Sequence, residues 1–118
     1  MIAFINGTIV VDTESQTALE DVRRFLETAP VIIGGEQDCE FFLSQPSGNN
    51  VYFDDEEYQT NVIITVYGRL RWVDMDEVVS EYQAFFDAVT KRFWVEFHNV
   101  EICDCYRTDV RRFNEIPE

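Results

Sequence analysis

Apolar and polar residues alternate along this 118-residue chain with two different periods, one near two and one near 3.6. The clearest period-two stretch is NVIITVYGRLRW, residues 61–72. It puts Val62, Ile64, Val66, Leu70 and Trp72 on one side of a strand and Asn61, Thr65, Tyr67, Arg69 and Arg71 on the other, with Gly68 as a bulge or close-approach point. The clearest helical stretch follows at once. From Asp74, an N-cap with Glu77 three residues on, the residues Met75, Val78, Val79, Tyr82, Phe85, Phe86 and Val89 make one wide apolar stripe.

The first half has the same order of strand, helix and strand, less regularly and with too little resemblance to be a repeat. IAFINGTIVV places Asn6-Gly7 between two short apolar runs, which predicts a β-hairpin with Ile2, Phe4, Ile9 and Val11 facing the core. TALEDVRRFLETAP then carries Leu19, Val22, Phe25, Leu26 and Ala29 at helical spacing, with Thr17 and Glu20 in a capping-box pattern and Pro30 as the stop. After Gly34-Gly35, alternation predicts a strand with Cys39, Phe41 and Leu43 on one face and Glu36, Asp38 and Glu40 on the other. PSGNN turns the chain, and VYF starts a strand that runs into the acidic stretch YFDDEEY, residues 52–58.

In FWVEFHNVEICDCY the alternation slips, since Val95 and Phe97 share one parity and Val100 and Ile102 the other. A bulge at His98-Asn99 would bring both pairs to one core. The tail from Arg107 is short, mixed in charge and reads as partly helical. These elements predict a single α+β domain over residues 1–118. Its architecture is a largely antiparallel sheet with two amphipathic helices packed on one face, ferredoxin-like in character.

Charge changes the picture more than composition does. The net charge is −14, and Lys91 is the only lysine. Residues 1–60 hold 12 acidic and two basic side chains, against 11 and seven in residues 61–118, so the negative field belongs mostly to the first half. Such a field repels nucleic acid and anionic membrane and attracts basic proteins. The N-terminal apolar run has no basic leader and is interrupted by Asn6-Gly7, so it does not read as a signal peptide. With no apolar run of roughly 18 residues, a cytoplasmic protein is expected. Three cysteines, Cys39, Cys103 and Cys105, fit reduced thiols better than a disulfide framework.

Candidate chemistry adds little. Cys103 and Cys105 in a Cys-x-Cys strand, with His98 nearby and Cys39 distant, do not have the knuckle spacing of a zinc site. Glu101 and Asp104 beside those thiols oppose the lowered pKa that a nucleophile needs. No phosphate loop, calcium loop or nucleophile elbow occurs. The expectation is therefore a non-enzyme without metal or cofactor.

What remains is the acidic surface. Glu36, Asp38 and Glu40 on one strand would project carboxylates at intervals of about 6.7 Å, near the spacing of successive phosphates along a nucleic acid. With Tyr52, Asp54, Asp55, Glu56, Glu57 and Tyr58 they form the expected partner-binding set, aimed at a basic, nucleic-acid-binding site on a larger protein or nuclease complex. In size, charge and compactness the chain resembles the small acidic inhibitors with which phages and mobile elements block host nucleases, anti-CRISPR and DNA-mimic proteins among them, and toxin-immunity proteins. No motif carries over from them. The alternative is a phage structural or homo-oligomeric assembly subunit, in which Arg69, Arg71, Arg107, Arg111 and Arg112 meet the acidic half of a neighbour.

Overall fold

A computed structural model describes residues 2–30, 32–34, 37–38, 40–44, 51–71 and 74–116. The order of elements is β1 (Ile2–Ser15), α1 (Ala18–Thr28), β2 (Ile33–Gly34), β3 (Gln37–Asp38), β4 (Glu40–Ser44), β5 (Val51–Phe53), β6 (Glu56–Arg71), α2 (Met75–Arg92), β7 (Trp94–Asp104) and β8 (Val110–Phe113). The main sheet runs β4-β6-β1-β7-β8 with every neighbouring pair antiparallel, and β5 pairs with the first residues of β6. Strands β2 and β3 form a separate two-stranded ribbon. The fold is thus α+β, an antiparallel sheet with two helices. At about 3.3 Å per residue the 16-residue β6 spans about 53 Å, and the molecule is correspondingly long, 54 × 24 × 23 Å.

The N-terminal segment is one straight strand, and the hairpin expected at Asn6-Gly7 does not form. β1 is paired along its length on both sides, with β6 from Ile2↔Arg71 to Asp12↔Asn61 and with β7 from Ala3↔Asp104 to Asp12↔Trp94. Two ladders of long-range hydrogen bonds outweigh one local turn preference. Gly7 serves a different purpose. A Cβ there would sit 2.2 Å from the Asn99 carbonyl oxygen and 2.4 Å from Val100 Cα, and its φ is +155°, so the residue allows β7 to approach closely. Without a turn the parity of the core also changes. Ala3, Ile5, Ile9 and Val11 are buried, while Ile2 and Phe4 are only partly so.

The slip in β7 is real but falls earlier than His98-Asn99. Val10 pairs with Phe97 and Val11 with Val95, which leaves Glu96 as the extra residue. Val95, His98, Val100 and Ile102 are then buried, and Phe97 is turned out and 48% exposed. Among the described residues the tail is not helical, because Val110–Phe113 adds as β8 beside Val100–Cys103.

The helices follow their apolar stripes. In α2, Met75, Val78, Tyr82, Phe85 and Val89 are buried, and the Asp74 carboxylate caps the first turn by accepting from the Asp76 amide at 2.9 Å. In α1, Ala18 and Val22 are buried, but the capping box does not form. The Thr17 hydroxyl donates to Asp21 while Glu20 pairs with Arg23 and Arg24. Buried residues of both helices belong to the same core cluster as Ala3–Val11 of β1, Val62–Leu70 of β6 and Val95–Ile102 of β7.

Candidate functional site

The stretch YFDDEEY is the end of a hairpin. Val51, Tyr52 and Phe53 pair with Tyr58, Glu57 and Glu56, so Asp54 and Asp55 alone make the turn. Both have positive φ, 52° and 65°, the left-handed pair that a two-residue type I′ turn requires. Aspartate tolerates that region better than most residues, which explains how a tight turn forms there without glycine. Asp54, Asp55, Glu56 and Glu57 are all exposed, and Tyr58 is partly buried. Glu56 accepts from Gln16 Nε2 at 3.1 Å and from the Tyr58 hydroxyl at 3.4 Å, which ties the hairpin to the corner between β1 and α1.

The other expected carboxylates lie elsewhere. Asp38 ends β3 and Glu40 begins β4, two different strands, and Glu36 lies outside the described residues. Glu40 pairs with Tyr67, eleven residues along β6 from Glu56, or about 36 Å at 3.3 Å per residue. The tip from Asp54 to Glu57, flanked by Tyr52 and Tyr58, is therefore one cluster, and Glu40 does not join it.

The arginines of the second half are largely engaged within the chain. Arg107 and Arg112 both bond Glu101, at 2.9 and 3.2 Å, and hold its carboxyl below the usual carboxylate range. Arg111 bonds Asp109 and Asp76. Arg69 and Arg71 are exposed on β6 beside Tyr67, which is 51% exposed.

A second surface lies on the side of the sheet opposite the core cluster, where the outer parity of β6 gains neighbours on β1 and β7 that the pattern of one strand does not supply. Across β6, β1 and β7 the register brings together Arg69–Phe4–Cys103, Tyr67–Asn6–Glu101, Thr65–Thr8–Asn99, Ile63–Val10–Phe97 and Asn61–Asp12–Trp94. Trp94 is 64% exposed. Glu96, in the bulge, is raised in pKa first by desolvation and then by Asp12, whose carboxylate it meets. The signal that could have found this face was the second parity of β6, where Tyr67, Arg69 and Arg71 recur together.

The single histidine is part of the packing. His98 is buried, stacks on Phe86 with centroids 3.8 Å apart, and has both ring nitrogens bonded. Nδ1 lies 2.8 Å from the Glu115 carbonyl oxygen, which only accepts, so Nδ1 carries the proton and Nε2 accepts from the Tyr82 hydroxyl at 2.7 Å. Burial lowers its pKa. An open cavity of about 470 Å³ beside it is lined by Phe86, Asp87, Arg112 and Phe113. Cys103 has the opposite parity on β7 and touches Arg107, so His98 and Cys103 do not converge; burial pushes the Cys103 thiol up. Cys103 and Cys105 are free thiols, and Cys39 lies outside the described residues. Among the described residues no group of three metal-ligating side chains converges, and no helix is long and apolar enough to cross a membrane.

Compared with protein-family models, curated proteins and solved structures, the chain matches none.

Proposed function

We propose that this chain is a small acidic, non-enzymatic binding protein of the inhibitor kind, which docks the carboxylates of its β5–β6 hairpin on a basic site of a larger protein. The observation that carries the reading is the tip itself. Four consecutive exposed carboxylates, Asp54–Glu57, stand on a tight turn at the end of a paired, anchored hairpin. Among the described residues, no ion pair to arginine or lysine engages Asp54, Asp55 or Glu56. A fixed cluster of this kind presents negative charge without the entropy cost of ordering a flexible tail, and a nucleic-acid-binding or nuclease site is the basic surface it suits best. An anti-defence role of the anti-CRISPR or DNA-mimic type, or a toxin-immunity role, fits that chemistry. A cytoplasmic setting fits the exposed free thiol of Cys105.

The scaffold is read as ferredoxin-like, with both helices on one face. Supporting this are the order β4-β6-β1-β7, its antiparallel pairs, and the helices that follow β1 and β6. Of the five arginines of the alternative, head-to-tail assembly, Arg107, Arg111 and Arg112 each already pair with an acid of their own chain, which leaves Arg69 and Arg71, both exposed, to support it.

The test is capture of partners from a host lysate, eluted by a salt gradient, with the wild type against Asp54→Asn/Asp55→Gly/Glu56→Gln/Glu57→Gln. Asn-Gly keeps the turn while the four charges go. Loss of the salt-sensitive partner in the variant is the expected result, and retention of every wild-type partner would refute the docking surface.

A further inference from the structure

On the sheet face opposite the core, among the described residues, Arg69, Arg71, Arg107 and Arg112 stand against Asp12, Glu96 and Glu101, so this part of a −14 molecule is close to balanced. Arg69 and Arg71 stand at one end. Glu101, in the row next to Arg69, is paired with Arg107 and Arg112. Asp12 and Glu96 share the other end. From Arg69 to Asn61, the partner of Asp12, is eight residues along β6, or about 26 Å. Phe4 lies in the Arg69 row, and between the charged ends come Tyr67 and Asn6, then Thr65, Thr8 and Asn99, then Ile63, Val10 and Phe97. Of the large apolar side chains that remain exposed among the described residues, Tyr67, Trp94 and Phe97 lie on this face.

We infer that this face is a homodimer interface, two copies stacking their sheets about a two-fold axis that crosses the strands, so that Arg69 and Arg71 of one protomer meet Asp12 and Glu96 of its partner. Three observations select a second copy of the chain as the occupant. First, the charge pattern is self-complementary: reversing the strand direction, as this axis does, lays the positive end over the negative end twice, which is what an isologous contact requires. An anionic partner would be met by Asp12 and Glu96 at one end and a cationic one by Arg69 and Arg71 at the other. Second, the remaining surface is strongly acidic, so a balanced face is where two copies meet with the least local repulsion. Third, the dimensions suffice. Ten residue rows across β6, β1 and β7 give about 480 Å² of projected area, and the shorter β4 and β8 add about 140 Å², on the scale of the roughly 800 Å² per partner that stable interfaces bury.

With the axis passing near Thr65 and Thr8, Tyr67 of one protomer lies over Ile63 of its partner, and twisted sheets stack at about −30° in such an arrangement. An opposing guanidinium also relieves the Glu96–Asp12 pair, whose like charges are costly in the single chain. None of these residues belongs to the acidic tip, so the interface and the docking surface succeed or fail separately.

Sedimentation velocity at low salt, from about 1 to about 100 µM protein, tests the inference. The wild type is expected to pass from monomer to dimer, and Tyr67→Asp/Phe97→Asp to stay monomeric with an unchanged far-UV circular dichroism spectrum. Arg69→Glu/Arg71→Glu and Asp12→Arg/Glu96→Arg are each expected to be monomeric alone and to form a dimer when mixed in equal amounts, because every opposed pair is then of opposite sign. A wild type that stays monomeric throughout would overturn the interface. So would a dimer indifferent to the Tyr67/Phe97 pair, or a mixture of the two charge variants that gains nothing over its components.

Discussion

His98 is held neutral because both ring nitrogens are already committed, Nδ1 as donor to the Glu115 carbonyl and Nε2 as acceptor from Tyr82. Protonation would place a second N–H against a hydroxyl that is already donating, in a buried site next to Phe86. Its folded pKa is therefore below the usual histidine value of about 6.5. Below that value the unfolded chain binds the proton more readily than the folded one, so stability is full above about pH 6.5 and falls as pH drops towards the folded pKa. Between pH 7.5 and pH 5.5 the urea midpoint of the wild type should fall relative to that of His98→Leu, which lacks the imidazole. At the upper end the variant should be less stable by about 1–2 kcal/mol, because the Tyr82 hydroxyl loses its buried partner. Parallel slopes for the two proteins would rule out His98 as the titrating group. The residue was easy to find in the sequence as the sole histidine. Its role was not, since the two groups that define it, Tyr82 and the Glu115 carbonyl, come from a helix and a tail well separated from it along the chain.

At the scale of elements, the best-read segments were those whose pattern and environment agree. Helix α2 buries the stripe from Met75 to Val89, and β6 buries Val62, Ile64, Val66 and Leu70, because each packs one face against one core. Elsewhere local signals lost to long-range pairing. Asn6-Gly7 reads as a hairpin, yet β1 gains two ladders by staying straight. The slip in β7 was visible, but its site, Glu96, is fixed by the register against Val10 and Val11. In the reverse case, Asp54-Asp55 makes a turn that normally selects Asn-Gly. Asp54→Asn/Asp55→Gly should therefore raise stability in urea by about 0.5–1 kcal/mol, with glycine removing the strain of a side chain at positive φ. A loss of stability would mean that the aspartates contribute to folding beyond the turn. Of the expected site, Asp54–Glu57 were legible as a cluster because they are contiguous in sequence, whereas Asp38 and Glu40 depended on strand boundaries that alternation alone does not supply.

For the whole molecule, the charge of −14 acts on folding as well as on partners. The ion pairs from Glu20–Arg23 to Glu101–Arg112 are largely exposed and contribute little individually. Self-repulsion among the remaining carboxylates is expected to outweigh them, and salt screens it within a Debye length of about 8 Å at physiological strength. The thermal midpoint, measured at low protein concentration, should rise by several degrees between about 10 mM and about 300 mM sodium chloride. A midpoint that falls would indicate that attractive pairs, not repulsion, dominate the electrostatics of the fold.

By itself the sequence determined the class of fold, the two helices, the core face of β6 and the unequal charge of the two halves, because periodicity and composition are local properties that burial only ratifies. Tertiary structure alone decided that β1 is one strand, that the acidic stretch becomes a hairpin tip, that His98 is a packed core residue, and that Tyr67, Trp94 and Phe97 lie together on an open face. Each of these depends on which distant backbone lies alongside, and pairing between segments far apart in the chain is set by the summed burial and hydrogen bonding of the whole sheet.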